Sequence, residues 1–517
     1  MAKKEICLMK TKRFNDIRAE CSAETSLPDY NTDVRKILHV TATSHPISSF
    51  ASADGIECSG EVTFEVVYLD FEGAVCSTSF SGDYNFTLKC DTELYKDSLV
   101  ETVLGGLSLR LMSPRKIAAR ATLDSVVTVI TEETVTTVGD ALEPSLSPEI
   151  NSELISVRTT VITPAVEREY GASLVRFDGK TTDEVSLIHL SVKPVIERIE
   201  VLDGEAELLG HIDAVALIKT DEYPLYKLSK SLELSERIPL GDIEEDADLR
   251  PSLEVVSATV ATEGDEGGVE MMLSVITDTR LVGEKNTAAE LYSDMYLCDL
   301  PCECTREPLG YDEYLGRWNK VREISENIPL STLGVGKIRE ITYADAEVKV
   351  TGRELSDNGA TLEGEILVSA IGSEMKDGGD VEFVPLKFSV KFKENVNCDC
   401  QICHKTAFDS DVRVSNVSVS VDSSSVYLKA SLSASASLFC QREVEVLREA
   451  RVASSEPYPK NPSRVCVYYP EERDTLYTIA KAYHTTKERI IKDNPGVSET
   501  FASGDEKSWG LKRLIIT

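Results

Sequence analysis

Nowhere do the 517 residues contain 18 consecutive apolar positions, so no transmembrane helix is expected. The opening stretch MAKKEICLMKTKRFND has Lys3 and Lys4 but no apolar run behind them, and no secretory signal is expected. Basic charge is in deficit: 55 Lys and Arg against 88 Asp and Glu leave a net charge of −33. A surface that negative repels phosphate backbones and anionic headgroups, which argues against nucleic acid and against membrane partners. Catalytic signatures are missing as well. There is no GxSxG, no HExxH and no P-loop; in GVGKIRE, Ile338 stands where a Mg²⁺-binding Ser or Thr would be. The six histidines (His39, His45, His189, His211, His404 and His484) are dispersed along the chain. With 88 acidic residues a carboxylate pair can be drawn almost anywhere, so none points to acid–base chemistry. These absences exclude most enzyme classes, and neither catalytic residues nor a cofactor is expected.

The 13 cysteines are odd in number and mostly scattered, and without an export signal they read as reduced thiols of a cytosolic protein. NCDCQICH carries Cys398, Cys400, Cys403 and His404. CQICH has the spacing of a c-type haem attachment site, but such attachment accompanies export. Three thiols and an imidazole also suit tetrahedral zinc, with Cys298, Cys302 and Cys304 as a second thiol-rich stretch. The usual two-pair spacing is absent, so loop thiols without metal are the expectation.

What the chain does contain is a repeat with a period near 150 residues. Gly60, Gly210 and Gly364 each open a comparable stretch: EVTFEVVY, HIDAVALI and EILVSAIG. Alternation follows, as in Val62, Phe64, Val66 and Tyr68, and a period of two is the mark of a strand. A hairpin comes next in each copy. GLSLRLM meets IAARATL across Ser113 to Lys116; LEVVSATVAT meets VEMMLSVIT with a turn beginning at Glu263; VRVSNVSVSV meets VYLKASLSASASLF with a turn beginning at Asp422. In the last hairpin Val426, Leu428, Ala430, Leu432, Ala434, Ala436 and Leu438 form an apolar face, and the serine face opposite meets water or a neighbouring domain, a solvated face being the plainer expectation. Leu27-Pro28 and Ile328-Pro329 mark a further landmark, for which the middle copy offers only Pro194. Pro-rich stretches at Asp140–Glu149, Leu297–Gly310 and Ser454–Ser463 set the boundaries. The fold class expected is mainly β: three tandem sandwich-like units (1–148, 149–298 and 299–453), a linker (454–463) and a small module (464–517).

That last module breaks the β pattern. RVCVYY reads as a strand, and Asp474 as the cap of a helix from Thr475 to Tyr483 with Leu476, Ile479, Ala480 and Tyr483 on one face. Thr485 and Glu488 read as the capping box of a second helix, with Ile490 and Ile491 inward, and RLIIT closes a two-stranded sheet. The order is β-α-α-β. With Tyr469, Asp474, Thr475, Leu476, Ile479, Ala480, Tyr483, Thr486, Ile490 and Asn494 in place, the module resembles LysM. Arg473 replaces that family's usual glycine, and the loop from Pro495 to Gly510 is long. The resemblance implies a ligand groove between the loop before the first helix and the loop after the second. Arg473, Asp474, Thr475, Tyr477, Asn494 and Pro495 are the expected contact residues, Arg473 and Tyr477 as exposed anchors, with packing on the module's own rim as the other reading of Tyr477.

LPDYNTDVRKILHV and GEVTFEVVYLD make the three repeats similar to SPOCS domains, β-rich modules of spore-forming Firmicutes. Three such domains followed by LysM resemble the SipL-like family of spore coat morphogenesis proteins. The resemblance implies a non-enzymatic mother-cell scaffold, cytoplasmic and located at the forespore surface. Its LysM would dock onto a SpoIVA-like coat ATPase, with other coat proteins engaging the SPOCS domains. The alternative is a binder of peptidoglycan, an N-acetylglucosamine polymer.

Overall fold

Alternating Val, Ser and Thr become long antiparallel strands in the computed structural model, which describes residues 3–138, 147–375, 381–422, 424–458, 465–471, 474–497 and 513–517. Strands dominate, and no helix among the described residues is long and apolar enough to cross a membrane. Six of the sheets come in three pairs, and each pair draws on one stretch of chain.

The same topology recurs in every pair. One sheet is a meander around a central strand, Gly55–Asp70, Glu205–Thr220 or Gly359–Met375. The other is a return sheet, in which the first strand of the copy pairs with the last strand of its final hairpin. Lys3–Ser26 lies against Lys116–Val138, Pro148–Ile162 against Gly268–Leu297, and Cys302–Pro329 against Ser425–Val452. The two sheets stack through apolar side chains. In the first copy Ala19, Cys21, Ala121 and Leu123 of the return sheet pack on Val62, Phe64 and Tyr84 of the meander.

The repeat glycines do not open their strands, as the sequence suggests, but lie inside them. Gly60, Gly210 and Gly364 are each the sixth residue of the central strand. Opposite Gly210 and Gly364 the neighbouring strand bulges, at Ile196/Arg198 and Val350/Gly352. Opposite Gly60 it breaks, with pairing lost between Ser44 and Ser48. The partner backbone is driven toward the glycine there. A Cβ on Gly364 would also meet the Phe392 ring at 2.7 Å, and one on Gly60 the Tyr84 hydroxyl at 2.7 Å. An aromatic ring covering a strand glycine restores the packing that the missing side chain gives up.

Four further expectations are corrected. Pro194 lies within strand Val185–Leu202; the middle copy makes its connection earlier, through the short 3₁₀ turn Thr182–Glu184. The second hairpin turns at Asp265–Gly268, where Gly268 takes φ +156°. Cys302–Gly310 belongs to the first strand of the third copy rather than to a connector, and Pro148 and Glu149 already belong to a strand. Ser431, Ser435 and Ser437 are buried; long side chains of the neighbouring strand, Arg317 over Ser435 and Glu323 over Ser431, cover this face.

Two polar assemblies lie between the copies. Between the return sheets, Arg158 of the second copy bonds Glu284 of its own sheet and Asp409 of the third copy, at 3.0 Å from Asp409. Its guanidinium lies over the Phe439 ring. Arg250 of the second copy bonds Glu101 of the first at 2.5 Å. Burial pushes the Glu101 and Glu284 carboxyls up, but Arg250 and Arg158 beside them hold both below the usual carboxylate range. Between the meander sheets, His39, His189 and Tyr343 converge with ring centroids 5.0–5.4 Å apart, each ring edge-on to the next. Each follows a bulge, at Ile37/His39, Leu187/His189 and Ile341/Tyr343. Each pairs with the thirteenth residue of its central strand: Val67, Leu217 or Ile371. One extra residue re-aims a side chain, and three equivalent bulges aim three rings at one junction.

Two outcomes follow from this packing. Gly364→Ala should lower stability by about 1–3 kcal/mol in urea unfolding, as overpacking does. His39 is held down to about 3, by burial and then by His189. Below pH 6.5 the unfolded chain therefore takes up a proton that folded His39 refuses, and this residue lowers stability as pH falls. His39→Gln should remove about 2 kcal/mol of the stability lost between pH 7 and pH 5, and paired urea titrations at the two pH values would read it.

Candidate functional site at the C-terminal module

The tail folds in the β-α-α-β order: strand Cys466–Tyr468, helices Leu476–Ala482 and Lys487–Asp493, strand Leu514–Ile516. The two strands pair antiparallel. Leu476, Ile479, Ala480, Ile490, Leu514 and Ile516 close its core. The caps sit one residue later than expected. Thr475, not Asp474, caps the first helix, accepting from Thr478 N at 3.1 Å. Thr486, not Thr485, caps the second, accepting from Arg489 N at 3.2 Å. Thr475 and Thr486 both hold the extended backbone of a cap, and the displaced residues serve elsewhere.

Asp474 is one of these: it accepts from the Tyr468 hydroxyl and from Glu471 N, both at 2.6 Å, and so ties the first strand to the start of the first helix. It also pushes the Tyr468 phenol up to about 12. Asn494 is buried and structural. Its amide donates to the Ile490 and Ile515 carbonyls at 2.8 and 2.6 Å, and its carbonyl accepts from Ile515 N at 2.7 Å. Pro495 is exposed. Arg473 lies outside the described residues. Of the six expected contact residues, Asp474, Thr475 and Asn494 hold the module's own backbone in place.

Tyr477 is not the exposed anchor that the sequence suggests. It is buried against the body of the protein, its ring edge-on to Tyr296 at 5.3 Å. The helical pattern gives Tyr477 no apolar neighbour within the module's stripe; strand Gly268–Leu297 supplies one from outside. Around that contact the module is held by polar bonds. The Tyr296 hydroxyl donates to the Thr485 carbonyl at 2.7 Å, within the buried seam. Lys481 reaches Asp294 at 2.6 Å, and Arg306 holds the other Asp294 oxygen at 2.5 Å. Burial pushes Asp294 up, but the bonds from Lys481 and Arg306 leave it below the usual range. Tyr458, in the linker, stacks on His484 at 3.6 Å while its amide donates to the Asp299 carbonyl at 3.0 Å. His484 takes φ +53° between the two helices.

The helices thus face inward and the strands outward. Val465, Val467 and Tyr469 alternate on the solvent side of the first strand, and Ile515 lies opposite Val467 on the second; all four are exposed. Of the thiols, Cys398 and Cys400 pack on the apolar cluster around Ala360 and Leu438. His404 is exposed. Cys403 faces Cys440, and Cys304 faces Cys302 at 4.0 Å. Among the described residues no three His, Cys, Asp or Glu side chains are grouped as a metal site.

Sequence reasoning missed Tyr296, Asp294 and the ring junction. For the rings a signal existed: His39, His189 and Tyr343 each stand 21 residues before the repeat glycine of their copy. The fold is thus that of a mainly β protein with repeated paired sheets and a docked βααβ tail. The chain matches no family model, no curated protein and no solved structure.

Tyr296→Phe would leave the Thr485 carbonyl buried without its donor, a loss of about 1–3 kcal/mol. Amides of the helix Leu476–Ala482 should then exchange with deuterium roughly tenfold faster, while amides of the strand Gly55–Asp70 keep their protection.

Proposed function

We propose that the protein is a non-enzymatic scaffold of spore envelope assembly, acting in the mother-cell cytoplasm at the forespore surface. Its C-terminal module docks onto a SpoIVA-like coat-morphogenesis ATPase, and the three-copy body engages other coat proteins. The reading rests on the resemblance to three SPOCS domains followed by LysM. One structural observation carries it further: the module is seated on the body by its helices and turns an apolar strand face, Val465, Val467, Tyr469 and Ile515, to solvent. A face of branched and aromatic side chains suits a protein surface better than a polar glycan strand. Buried Arg158 and Arg250 pair with carboxylates of the body, as structural charges do.

The test uses the full chain and the purified ATPase. Wild type should bind it. Val467→Asp should weaken binding by roughly tenfold or more, as loss of an apolar contact at an interface centre does. Its thermal unfolding should be unchanged, because Val467 is exposed. Equal binding by the variant sinks the docking face. Co-sedimentation of the full chain with insoluble peptidoglycan, together with no ATPase binding, favours the glycan alternative.

A further inference from the structure

Two thiols far apart in sequence meet at the edge of the third copy. Cys403 lies in the loop between Asn397 and Thr406, and Cys440 lies on the strand Ser425–Val452. Their sulfurs are 3.1 Å apart, and neither is bonded to another cysteine. Hydrogen bonds around them hold the two thiols side by side. Cys440 stands opposite Thr406 in the strand ladder. Thr406 in turn bonds Cys403 three ways: its amide donates to the Cys403 carbonyl at 3.0 Å, its hydroxyl accepts from Cys403 N at 3.0 Å, and the same hydroxyl contacts the sulfur at 3.4 Å. Gln441 N closes the turn on the Lys405 carbonyl at 3.1 Å.

The two sulfurs differ in access and charge. Cys440 is buried, 2% exposed, whereas Cys403 lies partly open at the loop. Hydrogen bonds from Thr406 and Cys440 bring the Cys403 thiol down to about 7, and burial raises Cys440. Arg442, two residues along the strand, favours the anion at both. An accessible thiolate beside a buried thiol is the arrangement of an attacking and a resolving cysteine.

We propose that Cys403 and Cys440 form a thiol–disulfide exchange site whose co-substrate is a low-molecular-weight disulfide of the glutathione type. The Cys403 thiolate attacks one sulfur of the oxidised co-substrate, whose S–S bond breaks to release one thiolate. That thiolate takes a proton from water, and a mixed disulfide remains on Cys403. Cys440 then loses its proton to solvent and attacks the Cys403 sulfur. A Cys403–Cys440 bond forms and the second small thiolate leaves. Two protein thiols are oxidised by two electrons, and one small disulfide is reduced to two thiols. The product bond pins the loop that carries Cys398, Cys400 and His404 to the strand. This site is independent of the docking face proposed above.

Full-length protein is incubated with oxidised glutathione near neutral pH, acid-quenched, alkylated and mapped without reduction by mass spectrometry. Wild type should give a linked Cys403–Cys440 peptide pair, and Cys403 should react roughly tenfold faster than Cys398 or Cys400. Cys440→Ser should trap glutathione on Cys403. In Cys403→Ser, Cys440 should stay reduced. The proposal is overturned if Cys403 remains reduced while other thiols oxidise, or links to Cys398 or Cys400. It is overturned equally if wild type holds the mixed disulfide without resolving it, or if Cys440 reacts alone in Cys403→Ser.

Discussion

Arg158 is almost wholly buried, and the carboxylates that neutralise it come from two different copies of the repeat: Glu284 from its own sheet, Asp409 from the next. A buried charge without a partner costs several kcal/mol; Arg158 keeps Glu284 of its own copy, but Asp409 of the third copy meets its guanidinium only across the boundary between copies. Arg250 imposes the same condition toward the first copy, because its partner there is Glu101. Arg13 of the first copy comes within 3.9 Å of Asp409 and completes the circuit back to the third. The constraint fixes how the sheet pairs sit against one another, and the apolar seam follows it. Leu8 and Val135, Ile155 and Val157, and Val444 and Val446 meet where the three return sheets come together.

Much of this was legible in the residues, and the limits of legibility have physical causes. Period-two alternation located the strands, and the repeat glycines located the copies, because both signals are local. Bulges are not local signals. A bulge shifts the alternation by one residue without changing composition, so the three that precede His39, His189 and Tyr343 read as ordinary strand. The six histidines then read as dispersed, although two of them share a spacing from the repeat glycine with Tyr343. The serine face of the last hairpin was misread for a related reason. Alternation says which residues share a face, not what covers it; here Arg317 of the adjacent strand reaches Ser435, and Glu323 accepts from Ser431.

The tail shows the same limit at smaller scale. Helical periodicity placed Leu476, Ile479, Ala480 and Ile490 in the core, where they are. It left Tyr477 beside the stripe, and an aromatic residue beside a stripe looks like an exposed anchor until its neighbour is known. That neighbour, Tyr296, lies 181 positions earlier in the chain. Its hydroxyl reaches the Thr485 carbonyl, which the late start of the second helix at Thr486 leaves without a helical partner. The displaced cap and the buried tyrosine thus express one fact. The module is shaped to be seated, and its seat lies at the end of the second copy, beside the first strand of the third.

Polar groups at the junctions also decide the order in which the copies meet. An apolar junction between three similar units would accept any pairing of faces. Here each ring finds a different partner: His39 bonds Ser369 of the third copy, His189 bonds Glu65 of the first, and the Tyr343 hydroxyl meets His189 of the second. Ser369 and Glu65 are both the eleventh residue of their central strands, so equivalent positions carry different chemistry. Exchanging two copies would set His189 against Ser369 and leave Glu65 without its imidazole. Buried His189 would then trade a carboxylate partner for a hydroxyl, while Glu65, partly exposed, would turn to water. Differences between the repeats at these few positions therefore favour the observed arrangement over others that the shared sheet topology alone would allow.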